Sequence, residues 1–297
     1  MTVTFLQKIV MLCAWALLVS PVYANSKSSV EPTKFATLAN KVHKQRVVKN
    51  LCYRPGQLLC VGDLYLPESI RKPLPAVIVV HGGAWKSGSK EDFNALDATL
   101  SLLGENFIVF NINYRLTGDG GEFPNDVADV KHAAAFLRLN AVKYSIDENR
   151  IGIFGVSSGG HLALMAGYAP NKLFDLKTPN DIKAVAAFCP LTDLKSMEVA
   201  FVIQYLGCML DQGRSVFVKA SPVTYFKTSV PTLLIHGNRD RTVSIEQSTE
   251  LAELLRQNQT KVEFIKLENA DHFFSMKSGQ ERLIALGALI RFFKESL

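Results

Sequence analysis

The stretch Arg150-Ile151-Gly152-Ile153-Phe154-Gly155-Val156-Ser157-Ser158-Gly159-Gly160-His161 decides how this chain folds. Its first half is apolar, as a buried strand is. Its second half is small, and an apolar small-residue helix is expected over 158–169. A strand that runs through Gly-x-Ser-x-Gly into a helix turns sharply, and a serine held there projects its hydroxyl above the sheet edge. The helix start behind it supplies free N–H groups and partial positive charge. A glycine-rich turn closing a tight βα unit uses the same letters, so the surrounding pattern has to decide.

Outward from that turn, apolar runs alternate with helical spacing. Runs at 76–80 and 107–112 come before it, and runs at 184–188, 232–235 and 262–267 come after it. Each is short and apolar, which suits a strand covered on both faces. Helical periodicity marks 92–103, stopped by Gly104, then 124–139 with Pro124 in its first turn, 245–255 and 282–293. Earlier, 46–53 and 58–66 are β-rich and flank Arg54-Pro55-Gly56, a turn signal. The expectation is α/β: one domain over 46–297, with a mostly parallel sheet and helices on both faces. The stretch 191–230 breaks the alternation and reads as a small cap-like insertion over the strand ends. Phe201, Tyr205 and Phe217 there, with Trp85, either line a pocket or fill the core.

A serine is a poor nucleophile without a base. Six histidines compete. His43 lies in a polar N-terminal stretch, His132 within a helix, and His161 one turn past Ser157. His81 and His236 end buried strands before glycine and read as loop anchors. His272 comes after the last strand in Ala270-Asp271-His272-Phe273-Phe274, on the edge where Ser157 stands. It is the expected base. The expected acid is Asp240, which comes after 232–235 on the same edge through His236-Gly237-Asn238-Arg239. Asp271 adjoins the base and should point away, and Asp193 and Asp211 lie in the interrupting stretch. Acyl transfer also needs N–H donors facing the developing oxyanion. His81-Gly82-Gly83-Ala84-Trp85 comes directly after the third strand, so the amides of Gly83 and Ala84, with that of Ser158, are the expected donors.

The chain has 297 residues, 48% hydrophobic and 20% charged, which excludes general disorder. Its net charge of +6 is spread out, apart from a local excess at Lys27, Lys34, Lys41, Lys44, Arg46 and Lys49. That excess reads as a solvated face, and no nucleic-acid partner is expected. Residues 1–24 read as a secretory signal peptide: Lys8, an apolar run from Ile9 to Val19, and Val22-Tyr23-Ala24 at the cleavage site. The run is short for a membrane span, so no stable membrane insertion is expected after cleavage; an uncleaved membrane anchor is the rival reading. Residues 25–45 are polar and lysine-rich and read as an N-terminal arm or a short helix. Export admits disulfides, and Cys52 with Cys60 across the hairpin and Cys189 with Cys208 are the expected pairs. No metal-ligand spacing occurs, so no metal is expected.

With these motifs, joined by Asn113-Tyr114-Arg115-Leu116 and Ser221-Pro222, the chain resembles the α/β-hydrolase superfamily. Within it the chain is similar to carboxylesterases and lipases with an HGG oxyanion motif, and most of all to bifunctional feruloyl and acetyl-xylan esterases. Ala84 departs from the third glycine of hormone-sensitive-lipase-like members, and Asn238 from the aspartate usual before the acid. The resemblance implies an exported serine hydrolase acting through an acyl-enzyme on small-molecule or carbohydrate esters, with no cofactor. Amide hydrolysis on the same residues, and a binding module without activity, are the alternatives.

Overall fold

The computed structural model describes residues 45–176, 181–277 and 279–297. The chain divides into two compact units, Met1–Gln45 and Arg46–Leu297. The expected leader at 1–24, and the arm at 25–45 except for Gln45, lie outside the described residues. All the described strands and helices belong to the second unit. Among the described residues no helix is long and apolar enough to cross a membrane.

Eight strands form one sheet: β1 (Arg46–Cys52), β2 (Val61–Leu66), β3 (Leu74–Val80), β4 (Ile108–Ile112), β5 (Ile146–Val156), β6 (Ala184–Phe188), β7 (Thr232–Gly237) and β8 (Val262–Leu267). Their order is β1-β2-β4-β3-β5-β6-β7-β8. The β1–β2 and β2–β4 pairs are antiparallel, and every later pair is parallel. The α-helices are α1 (Phe93–Leu103), α2 (Asn125–Leu139), α3 (Ala141–Tyr144), α4 (Ser158–Tyr168), α5 (Ala200–Leu206), α6 (Leu210–Lys219), α7 (Glu246–Gln257) and α8 (Gln280–Ser296).

Strand pleating sends alternate side chains to opposite faces, and β3 does so cleanly. Ala76, Ile78 and Val80 join one core with residues of α2, α4 and α7, whereas Val77 and Val79 join another with α1 and α8. Covering both faces explains why the central strands are apolar throughout. β3 lies between β4 and β5. The chain leaves β3 through α1 towards β4, and leaves β5 through α4 towards β6, on the opposite face. The carboxyl ends of β3 and β5 therefore flank a topological switch point, where a crevice opens.

The boundaries differ most from the expectation at the starts of β5 and β2. β5 starts at Ile146, several polar residues before Arg150. Leu74, one end of β3, pairs with Ile146, which carries the strand through Asp147 and Asn149. β2 starts at Val61, because Leu58 to Cys60 belong to the turn, where the Cys60 N–H donates to the Gln57 carbonyl. The stretch 191–230 holds α5 and α6 between two 3-10 turns, Leu194–Ser196 and Pro222–Tyr225. Tyr205 and Phe217 are fully buried core residues there, as is Trp85 in the turn after β3, and Phe201 packs against this core part-buried.

The expected disulfides are not formed; all four cysteines of this unit are free. Cys52 pairs across the hairpin with Val61, not with Cys60. Its thiol is at the surface on the Arg54 carbonyl, while Cys60 is buried. Burial, with the nearby negative charge of Asp129, pushes the Cys60 thiol up to about 12. Cys189 is buried at the end of β6, and Cys208 lies against Gly213 in the insertion.

Candidate active site

Ser157 stands between β5 and α4 at φ 56°, a left-handed conformation that costs a serine energy. The turn is pinned on both sides: the Ser157 N–H donates to the Phe188 carbonyl at 2.8 Å, and the His161 N–H donates to the Ser157 carbonyl at 3.0 Å. Gly159 lets it close. A Cβ there would lie 2.3 Å from the His81 carbonyl oxygen and 2.4 Å from that of Val80, so only glycine lets the helix start approach the end of β3.

His272 lies in the loop after β8 and is 7% exposed. Its Nε2 lies 3.0 Å from Ser157 Oγ, and its Nδ1 lies 2.6 Å from Asp240 Oδ2. A carboxylate accepts only, so the imidazole carries its proton on Nδ1 and accepts from the serine hydroxyl at Nε2. The Asp240 side chain is fully buried. Its Oδ1 accepts from the Thr242 and Val243 amides at 2.8 and 2.9 Å. Its Oδ2 accepts from His272 and, at 3.2 Å, from His236 Nε2. Burial alone would raise its affinity for a proton. The hydrogen bonds from His236, His272 and Val243 outweigh burial and hold the carboxyl well below the usual carboxylate range. Asp271 points elsewhere and pairs with Lys277. Asp193 accepts from the Lys195 amide in the insertion.

The third component is the turn after β3. Gly83, Ala84 and Trp85 all have positive φ. A Cβ on Gly83 would lie 2.0 Å from the Ser87 carbonyl oxygen, so this loop needs glycine there. The bend places the turn beside the serine: a Cβ on Gly82 would sit 3.5 Å from Ser157 Cβ. Among the described residues the amides of Gly83 and Ala84 donate to no backbone group. Together with the Ser158 amide, at the first position of α4, they are N–H groups available to an oxyanion.

A buried network supports this loop, and most of it escapes sequence reading. The Trp85 indole stacks on the Tyr205 ring, with centroids 4.1 Å apart and planes at 4°. The Tyr205 hydroxyl donates to Asp126 Oδ1 at 3.1 Å. The Trp85 Nε1–H donates to His161 Nδ1 at 3.2 Å, and His161 Nε2–H donates to the Ala220 carbonyl at 2.8 Å. Burial lowers His161 to about 4, which keeps it neutral and able to accept at Nδ1. Burial pushes the Asp126 carboxyl well above the usual range. The His81 ring stacks on Tyr114, and Arg115 clamps the buried Asp129 with bonds of 2.8 and 2.9 Å. The His236–Asp240 spacing of four residues is the one signal in the sequence that points to their contact.

Donor atoms of Cys189, His236 and Asp240 lie within 4.8 Å of one another. Those of the histidine and the aspartate are already engaged: Asp240 accepts four hydrogen bonds, and His236 Nε2 faces the Val243 carbonyl at 3.0 Å as well. The arrangement is that of a hydrogen-bonded carboxylate.

A sequence model of the family described as BD-FAE matches residues 62–255. The match spans the turn after β3, Ser157 and Asp240. The chain is 30% identical over 254 residues to esterase LipC of Mycobacterium tuberculosis, covering 80% of this chain and 61% of that protein. It thus spans less than two thirds of that relative. A solved truncated form of a carbohydrate esterase from gut microbiota superposes with a TM-score of 0.72 at 25% identity, covering 84% of this chain and 96% of the other. The bifunctional GH43-CE protein of Bacteroides eggerthii superposes with a TM-score of 0.74 at 28% identity, covering 84% of this chain and 38% of that one. Fold, turn geometry and sequence match agree: this chain is an α/β-hydrolase of the BD-FAE family.

Proposed function

We propose that this chain is an exported serine hydrolase that cleaves carboxylic esters, with Ser157 as nucleophile, His272 as base and Asp240 as its orienting acid. The observation that carries the reading is the unbroken line of hydrogen bonds from Ser157 Oγ through His272 to Asp240, beside a loop with unengaged amides. Ser157 Oγ attacks the ester carbonyl while its proton passes to His272 Nε2. The oxyanion is received by the amides of Gly83, Ala84 and Ser158. Collapse of the intermediate expels the alcohol, which takes the proton from His272 and leaves an acyl-serine. Water then attacks the acyl group, gives its proton to His272, and the acid departs as Ser157 regains its own.

Support for ester substrates comes from the relatives, which are named esterases. Support for a carbohydrate ester comes from the carbohydrate esterase that shares this fold. Support for export is the composition of residues 1–24. The test is hydrolysis of p-nitrophenyl esters from acetate to palmitate, then of acetylated and feruloylated sugars, by wild type and Ser157→Ala. Loss of turnover and of fluorophosphonate labelling in the variant is expected. A variant that keeps more than a few per cent of wild-type turnover would overturn the assignment. Mature protein beginning at Asn25 is expected outside the cytoplasm, and a chain that keeps Met1 and stays in the cytoplasm would remove the export reading.

A further inference from the structure

The contacts of His236 go beyond those of a loop anchor. It is the second-to-last residue of β7 and is fully buried, with a partner on each ring nitrogen. At Nε2 it meets two groups that can only accept, the Val243 carbonyl at 3.0 Å and Asp240 Oδ2 at 3.2 Å. That nitrogen therefore carries a hydrogen. At Nδ1 it meets the Ser248 hydroxyl at 2.8 Å, which can donate to it. The serine matches that tautomer, which places the N–H on the Val243 carbonyl and beside the oxygen that orients His272. Two imidazoles converge on one carboxylate oxygen.

We propose that His236 is a positioning residue that shares Asp240 Oδ2 with His272 and so sets the lower pH limit of turnover. The proposal rests on the Ser157–His272–Asp240 reading. A carboxylate oxygen that accepts two N–H groups divides its charge between them. Without His236 the charge bears on His272 alone and holds the imidazolium form more tightly, so the base becomes free only at higher pH. The other groups around the carboxylate do not replace this donor. Cys189 faces it from the end of β6, within 4.8 Å, and its thiol is pushed up by burial and by Asp240 itself. Asp271, in the loop after β8, is negative and engaged with Lys277. The Thr242 and Val243 amides hold the other oxygen, Oδ1.

The experiment is the pH profile of kcat/KM for wild type, His236→Asn, His236→Gln and Ser248→Ala. The asparagine amide is too short to reach Asp240, whereas the glutamine amide reaches close to the Nε2 position. In His236→Asn the midpoint of the acid limb should rise by roughly half a pH unit to one unit. His236→Gln should return it towards wild type, and Ser248→Ala should raise it by less than His236→Asn does. A lowered plateau with an unmoved acid limb in both His236→Asn and Ser248→Ala would reduce His236 to a structural part and overturn the proposal. Ser248→Ala leaves the imidazole in place, so it reports even if His236→Asn does not fold. Imidazole nitrogen NMR of the wild-type protein should show the proton on Nε2 of His236, and a proton on Nδ1 alone would also overturn the proposal. Ser157→Ala separates the two levels. Should that variant keep its turnover, the triad reading itself fails; if it is inactive and the acid limb does not move, only the role of His236 fails.

Discussion

The indole N–H of Trp85 donates to Nδ1 of His161 over 3.2 Å, and this bond ties the turn after β3 to the helix that begins at the proposed nucleophile. Oxyanion donors and nucleophile must keep register for acyl transfer, and both ends of the bond are fully buried. Trp85→Phe keeps a ring against Tyr205 but removes the donor. We expect kcat to fall about tenfold to a hundredfold with little change in KM, measured on a short-chain ester. An unchanged kcat would mean that the strained turn holds itself.

His161 also gives stability a pH dependence. Burial depresses it from 6.5 to about 4 in the fold. A group depressed in this way contributes stability that is complete above its unfolded value and drains as the pH falls through the folded one. The window is therefore about pH 6.5 down to about pH 4, and the loss across it is roughly 3 kcal/mol. His161→Gln cannot titrate, so the stability gap between wild type and variant should narrow across that window in urea unfolding. Parallel curves would contradict the assignment. The depressed Asp240 adds a further loss, at pH values below its ordinary 3.8.

Asp126 acts in the opposite direction. One of its oxygens accepts from Tyr205 and the Val127 amide, and Oδ2 has no partner among the described residues. Burial raises this carboxyl, so whatever stability its protonated form provides is present in acid and lost as the pH rises above the ordinary 3.8. Asp126→Asn fixes a neutral isostere. It should stabilise the protein by about 1 kcal/mol or more at pH 8 and by nothing at pH 4. Equal destabilisation at both pH values would refute the argument.

Asp240→Asn tests the acid. An amide that turns its NH₂ towards His272 favours the wrong tautomer, and turnover should fall by about 10³–10⁴ with the fold intact. Circular dichroism and a single-turnover assay would check both halves of that statement.

The sheet is legible in the sequence because burial on both faces removes polar residues from the central strands, as in 76–80 and 184–188. The order of Ser157, Asp240 and His272 is legible because each comes shortly after a strand, although β8, before His272, is a part-buried edge strand that keeps Glu263 and Lys266. The start of β5 is not, since Asp147, Asn149 and Arg150 look like loop and are held in the strand by its pairing with β3. The cysteine pairs misled for a related reason. Spacing across a hairpin says nothing about pleat or register, and a turn longer than Arg54-Pro55-Gly56 set Cys52 opposite Val61. Asp126 resembles any acid in a first helical turn; its burial depends on Tyr205, seventy-nine residues away.

The seam through Tyr205 limits how this chain can be remodelled. One face of its ring roofs Trp85 and its hydroxyl reaches Asp126, so the insertion is keyed into the loop that would receive the oxyanion. Grafting a foreign segment in place of 194–225 to alter the choice of ester would also retune the rate. If the proposed function holds, selectivity and turnover are geared together, and a graft that spares Tyr205 and its two contacts is the one that can change the first without the second.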